Sequence, residues 1–443
     1  MTTASGVDIA QFIAQRGFGR FQYLVVGLCA LIVMMDGFDT QAIGYVAPSI
    51  IKAWHVDRAT LGPVFAAGLF GLMIGALTFG PVADRIGRKP VLIFCTLFFG
   101  ICSLLTATVD SINGLLLLRF VTGLGLGGAM PNAIALTTEY APPRIRATTI
   151  MIMFCGFSLG AALGGLAAAG LITRFGWQSV FILGGVAPCL LVVVLLFLLP
   201  ESIRFLVLRG GRGAQIASIL AKIEPGAKLD AMTEFTVAEH KSDAFVVKQL
   251  FTDGRSLFTL LLWLIFFMSL LDLYFLSSWL PTVINDSGVA VDRAVLITAM
   301  FQVGGIVGAI SLGRLFDKFP PFRTLALTYL GASVFVACVG IAGTSVPLLF
   351  VTVFLTGFCV VGGQIAANAL TAESYPTAIR STGVGWALGI GRVGSIIGPV
   401  IGGVLLSLHW QTRHVLLIGA VPMLIAAVAA ISISLSGAAR RVD

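Results

Sequence analysis

Along the 443 residues, apolar and polar positions segregate into long blocks instead of alternating with a short period. A helix needs roughly 20 apolar residues to cross the hydrocarbon core of a bilayer. Runs of that length occur twelve times, over 22–48, 59–82, 90–109, 112–138, 147–172, 177–199, 257–284, 292–313, 323–343, 346–370, 381–406 and 412–436. The sixth and seventh runs are separated by a polar segment, Glu201–Arg255, with eight basic and seven acidic residues, which reads as a surface linker with short helical pieces. The pattern predicts an all-α membrane protein of twelve transmembrane helices in two six-helix bundles. Its expected parts are a tail (1–21), a first bundle (22–200), the linker (201–255), a second bundle (256–436) and a closing tail (437–443).

Composition supports this and removes alternatives. Charged residues make up 11% of the chain, against about 25% in soluble domains. Residues 1–20 are polar, and the first apolar run is too long and too interrupted by acids for a cleavable signal, so an uncleaved first span is expected. The net charge of +8 reflects topology here, not nucleic-acid binding. With both termini cytoplasmic, 21 Lys and Arg fall on the inner side and 5 on the outer side. The seven cysteines lie in apolar stretches with no CxxC, and the four histidines form no HxxxH or HExxH, so no metal site or cofactor is expected. No GxxxxGK[ST] loop offers a nucleotide site.

The two halves repeat. Glu139-Tyr-Ala-Pro-Pro-Arg-Ile-Arg146 matches Glu373-Ser-Tyr-Pro-Thr-Ala-Ile-Arg380, and Gly80…Asp84-Arg85 matches Gly313…Asp317-Lys318, both displaced by about 233 residues. Parallel repeats place a substrate site near the midplane between them. Inside the first span lie two carboxylates, Asp36 and Asp39. Ionisable groups at membrane depth are costly and usually functional. Asp39 precedes Pro48 by nine residues, as Asp272 precedes Pro281, so the first and seventh spans carry acids at equivalent depth.

Gly80-Pro-Val-Ala-Asp84-Arg85-Ile-Gly87-Arg88-Lys89 resembles the GxxxDRxGRK loop signature of the major facilitator superfamily. Leu115–Gly128, with Arg119, is similar to that superfamily's fourth-helix motif, and Pro200-Glu201-Ser202-Ile-Arg204-Phe-Leu to the pattern closing its sixth helix. The resemblance implies the major facilitator fold over the whole chain. Asp36-Gly-Phe-Asp39, Met130–Pro142 and Gly389–Pro399 more narrowly resemble the aromatic acid:proton symporters, bacterial importers of 4-hydroxybenzoate, protocatechuate and benzoate. That resemblance implies functional roles for Asp36, Asp39, Asp84, Arg85 and Arg88. Asp272 is not implied by it.

The residues themselves define candidates. Two close carboxylates in a low-dielectric site cannot both ionise without mutual repulsion, so Asp36, Asp39 and Asp272 are candidates for proton coupling. Gly37 between the first two is a candidate for a local break. Arg392, flanked by glycines in span eleven, suits a substrate carboxylate through two parallel hydrogen bonds; the alternative is an internal partner for an acid. Arg119 has the same two readings, with the structural partner favoured. Gln364, Asn368 and Asn132 suit a phenolic hydroxyl, or else hold helices together. Tyr45, Tyr274, Phe38 and Trp386 offer rings for stacking, against ordinary packing for each. Gly80, Asp84, Arg85, Gly87, Arg88, Glu139 and Arg146, mirrored by Asp317, Glu373 and Arg380, form a candidate conformational gate. The glycine ladders Gly156/Gly160/Gly164 and Gly394/Gly398/Gly402 read as close packing with hinge capacity.

The expected protein is a functional monomer in the bacterial inner membrane, multi-pass, importing an aromatic carboxylate with protons. Its partners are that substrate, protons and the lipid bilayer, without nucleic acid. Another organic anion (a dicarboxylate or a hydroxylated cyclic acid) and export are the alternatives within transport. An enzyme would need a nucleophile–base or metal constellation, and a sensor a larger signalling domain; neither pattern is present in the sequence.

Overall fold

The computed structural model describes residues 7–224, 226, 233, 235–236, 246–252, 254–316, 318–375, 379–408 and 410–436. A short helix, α1 (Ile9–Ala14), precedes six long ones: α2 (Arg20–Trp54), α3 (Leu61–Ile86), α4 (Arg88–Thr106), α5 (Ile112–Tyr140), α6 (Arg146–Phe175) and α7 (Gln178–Leu198). The linker contributes α8 (Ile203–Arg209) and α9 (Gly213–Ile223), and a two-residue strand in it, β2 (Phe235–Thr236), pairs in parallel with β1 (Val7–Asp8). Six more long helices follow: α10 (Ser256–Asp286), α11 (Val291–Phe316), α12 (Pro321–Ile341), α13 (Val346–Ser374), α14 (Arg380–Ser407) and α15 (Thr412–Leu435). Twelve helices among the described residues are long and apolar enough to cross a membrane, one for each apolar run. The first extends past its expected end, through Pro48 to Trp54. Neighbouring helices in a bundle can satisfy the backbone groups that a proline frees.

The halves pack alike. In the first, α2 lies on α6, α3 on α5 and α4 on α7; in the second, α10 lies on α14, α11 on α13 and α12 on α15. The glycine ladders make the first of these pairings. A side chain at Gly160 would collide with the Met34 carbonyl of α2, and one at Gly398 with the Leu271 carbonyl of α10. Without a hydrophobic drive between helices in lipid, such backbone approach supplies the packing energy.

Gly37 belongs to this contact and not to a break. The helix is continuous from Arg20 to Trp54, and a β-carbon at Gly37 would overlap the Phe157 carbonyl of α6. Gly37→Val is therefore expected to force α2 from α6 and cost about 1–3 kcal/mol or more. Thermal unfolding in detergent should show a lower midpoint; an unchanged midpoint would contradict this packing.

The halves meet at the helix ends remote from the linker. There Arg58 Nη2 lies 2.8 Å from Asp286 Oδ1, the Phe65 and Trp279 rings pack edge to face at 5.0 Å, and Gly44 abuts the Ser277 backbone. The most extensive helix contacts across the halves are α6 with α11, α3 with α14, and α2 with α10.

Candidate functional site

The first-span acids separate in role through their partners. Both are fully buried. Asp39 is gripped by Arg119 of α5, with Nη1 3.0 Å from Oδ2 and Nη2 3.3 Å from Oδ1. Nη1 also donates to the Asp39 backbone carbonyl at 3.3 Å. The guanidinium sits 5.1 Å from the centre of the Phe181 ring. This is a bidentate, charge-assisted pair, and the Arg119 Nε is left without a hydrogen-bond partner among the described residues. Beside it is a cavity of about 30 Å³, bounded by Asp39, Thr40 and Arg119 among others, with room for about one water. Asp36 has one weaker partner, the Thr40 hydroxyl donating to Oδ1 at 3.1 Å, and its Oδ2 has no hydrogen-bond partner among the described residues.

Arg392 enters from the second half on α14. It is half-buried, its Nη1 donates to the Tyr274 hydroxyl at 3.1 Å, and it forms no ion pair among the described residues. It lies within electrostatic reach of Asp36, as does Asp39. Asp36, Asp39, Arg119 and Arg392 thus form one cluster across the two halves, with two negative and two positive groups. Asp272 stands apart from it. It is fully buried, and neither carboxyl oxygen has a hydrogen-bond partner or salt bridge among the described residues. The expected equivalence of depth with Asp39 extends to its place on the helix and not to a counter-charge.

The amides behave differently from one another. Gln364 and Asn368 are joined, Nε2 of the first donating to Oδ1 of the second at 3.1 Å. The Ser269 hydroxyl of α10 donates to Gln364 Oε1, and the Tyr329 hydroxyl reaches the Gly363 carbonyl at 3.4 Å. Ser269 and Tyr329 were not expected in this network; serines and tyrosines in apolar helices carry no spacing that marks them. Asn132 instead donates to the Gly128 carbonyl of its own helix at 2.8 Å and faces the Phe79 carbonyl at 3.5 Å, tying α5 to α3.

Of the four expected rings, the structure brings one to the cluster, Tyr274. Tyr45 is fully buried and donates to the Ala161 carbonyl at 2.9 Å, against α6. Phe38 fills the space over Gly164 and Gly184, between α6 and α7. Trp386 is 43% exposed and stacks on Trp263 at 5.6 Å.

The loop signature builds a second assembly at the linker end. Gly87 joins α3 to α4 with φ +105°, and a β-carbon there would run into the Glu201 carboxylate. Glu201 Oε1 accepts the backbone N–H of Arg88 at 2.8 Å and of Lys89 at 3.1 Å, capping α4. Glycine at 87 thus meets two demands, a left-handed turn and a close carboxylate. Arg88 Nη1 lies 3.2 Å from Glu139 Oε1, and the Ser202 hydroxyl donates to Glu139 Oε2 at 2.6 Å. Asp84 is largely exposed, 4.0 Å from Arg88. Arg85 and Glu373 are exposed; Arg146 is half-buried, its Nε without a hydrogen-bond partner among the described residues; and a side chain at Gly80 would meet open space. Asp317 and the Arg380 side chain lie outside the described residues.

Comparison with known proteins follows the same lines. The profile of the Major Facilitator Superfamily matches residues 29–345 and 262–438. The 4-hydroxybenzoate transporter PcaK of Pseudomonas aeruginosa is 45% identical over 441 residues, covering 99% of this chain and 97% of that protein. The gallate transporter of Pseudomonas putida is 45% identical over 406 residues, covering 91% and 89%. Among solved structures, the Escherichia coli xylose transporter XylE in an inward-open conformation shares the fold with TM-score 0.73 at 18% identity, covering 93% and 96%. A bacterial homologue of the lysosomal transporter Spinster, inward-facing and occupied, shares it with TM-score 0.74 at 19% identity, covering 95% and 98%. These proteins are transporters, not enzymes. The chain belongs to the major facilitator superfamily and, within it, to the family of the aromatic acid transporters it matches.

Proposed function

We propose that the protein is a proton-coupled importer of aromatic carboxylates such as hydroxybenzoates, working by alternating access in the bacterial inner membrane, as a monomer with both termini cytoplasmic. The observation that carries the coupling is the unequal partnering of the two first-span acids. Asp39 is committed to Arg119, whereas Asp36 keeps an unpartnered oxygen within the electrostatic reach of an arginine from the other half. Asp36 is the proton carrier in this reading, and Asp39 holds Arg119 and the helix in place. Asp272, buried without a partner, is a second proton-bearing group.

Charge balance links proton and substrate. With all four ionised, the cluster is neutral. A bound carboxylate adds one negative charge, and a proton on Asp36 restores neutrality in a site where uncompensated charge is costly. Arg392 and Tyr274 receive the carboxylate. Asn368, held by Gln364, which Ser269 holds in turn, is the candidate partner for a ring hydroxyl. In this conformation the halves are clamped on the side away from the linker, which corresponds to a site closed to the outside. The loop-signature assembly is proposed to stabilise one of the two access states.

Arg392→Lys retains the charge and loses the planar fork. Affinity for 4-hydroxybenzoate should fall about tenfold, the equivalent of one charge-assisted hydrogen bond. A binding isotherm on the purified variant measures it, and an unchanged affinity would remove Arg392 from carboxylate capture. The substrate class is tested by uptake of labelled 4-hydroxybenzoate into expressing cells with unlabelled competitors. Competition by gallate and benzoate but not by succinate is expected; competition by succinate alone would transfer the assignment to a dicarboxylate.

A further inference from the structure

A cleft of about 510 Å³ lies at the linker end of the first bundle, between the α3–α4 turn and α8. Arg85 and Arg88 line one wall, and Arg204 and Arg209 the other. Arg88 is engaged by Glu139, and Arg204 lies in the field of the same carboxylate. Arg85 and Arg209 form no ion pair among the described residues, and Arg209 is held over the Phe205 ring at 5.6 Å. Asp84 also lines the cleft, but its carboxylate is 75% exposed and only 4.0 Å from Arg88. Four guanidinium groups and the Lys89 ammonium, against the carboxylates of Asp84, Glu139 and Glu201, leave two positive charges uncompensated.

The flank of this cleft is apolar and open. Leu208 of the lining is 55% exposed, and Val82 and Ile86, adjacent in sequence to Ala83 and Arg85 of the lining, are 38% and 52% exposed. A soluble anion would use the arginines and leave this flank idle. A phospholipid uses both, because its phosphate matches guanidinium forks and its acyl chains match the apolar rim.

We propose that this cleft binds the phosphate of an anionic phospholipid from the leaflet on the linker side, with its acyl chains along Val82, Ile86 and Leu208. Occupancy bridges the loop signature to the linker helix α8, so the lipid fastens the linker to the α3–α4 turn. The site is separate from the substrate cluster, and the proposal stands or falls independently of the transported compound.

The test is native mass spectrometry of the full-length protein released from mixed micelles holding phosphatidylglycerol and phosphatidylcholine at equal mole fraction. The unmodified protein should retain several-fold more phosphatidylglycerol, and that preference should weaken as salt is raised. Arg204→Gln with Arg209→Gln should lower retention at least about fivefold, the equivalent of one basic contact near an anionic surface, while the 4-hydroxybenzoate isotherm is unchanged. Equal retention of the two lipids by the unmodified protein would overturn the proposal without recourse to any variant. So would full retention by the double variant. Complete displacement of phosphatidylglycerol by a molar excess of inorganic phosphate would assign the cleft to a soluble anion instead.

Discussion

Asp36→Asn should abolish gradient-driven accumulation of substrate while leaving exchange of substrate across the membrane intact. The amide matches the carboxyl in size and keeps an oxygen for the Thr40 hydroxyl, so the fold has no reason to weaken. What the variant lacks is the carboxyl proposed to carry the proton. Binding and rocking of the halves continue, and the link to the proton gradient is cut. Counterflow of labelled 4-hydroxybenzoate in preloaded vesicles, compared with uphill uptake under an inward proton gradient, separates the two. Concentrative uptake at the unmodified level would take the coupling role away from Asp36.

Arg119→Gln should fail in a different way. It leaves Asp39 fully buried with its only ion-pair partner among the described residues removed. Losing one member of a buried pair costs about 3–5 kcal/mol, because the remaining charge is uncompensated. Folded yield and thermal midpoint should drop sharply, and transport with them. Combining it with Asp39→Asn removes the stranded charge, so much of the stability should return while Arg392 and Asp36 remain in place. Thermal unfolding of the two single variants and the double variant gives the coupling between the residues. Additive effects would mean that the 3.0 Å pair contributes no more than two independent side chains.

The twelve helices were legible because crossing lipid imposes a length and a composition that soluble helices do not need. The repeat was legible for the same reason in a second form. Gly160 against Met34 and Gly394 against Phe267 are one contact made twice, and the glycine spacing records it. Partnering was legible only in part. The sequence favoured Arg119 as the partner of a first-span acid, but Arg119 stands 80 residues from Asp39 and nothing in the spacing says which of the two acids it takes. The crossing of α2 with α5 decides between Asp36 and Asp39. Nor does spacing show that Asp272 sits without a counter-charge.

Rings posed the same problem in another guise. Tyr45 and Tyr274 are each apolar-helix tyrosines with one hydroxyl to satisfy, and which face they occupy depends on neighbours far along the chain. One turned to the Ala161 carbonyl and the other to Arg392. Glu201 was read as part of a helix-closing pattern; its use as the cap of α4, across 113 residues, depends on where α7 ends relative to α4.

The central claim is that a proton travels with an aromatic carboxylate through this chain. It is tested most directly in proteoliposomes of the purified protein, with labelled 4-hydroxybenzoate outside and an imposed inward proton gradient. The account predicts accumulation above the external concentration, collapsing to equilibration when a protonophore is added. Accumulation that ignores the protonophore, or no entry of 4-hydroxybenzoate under any gradient, would contradict it.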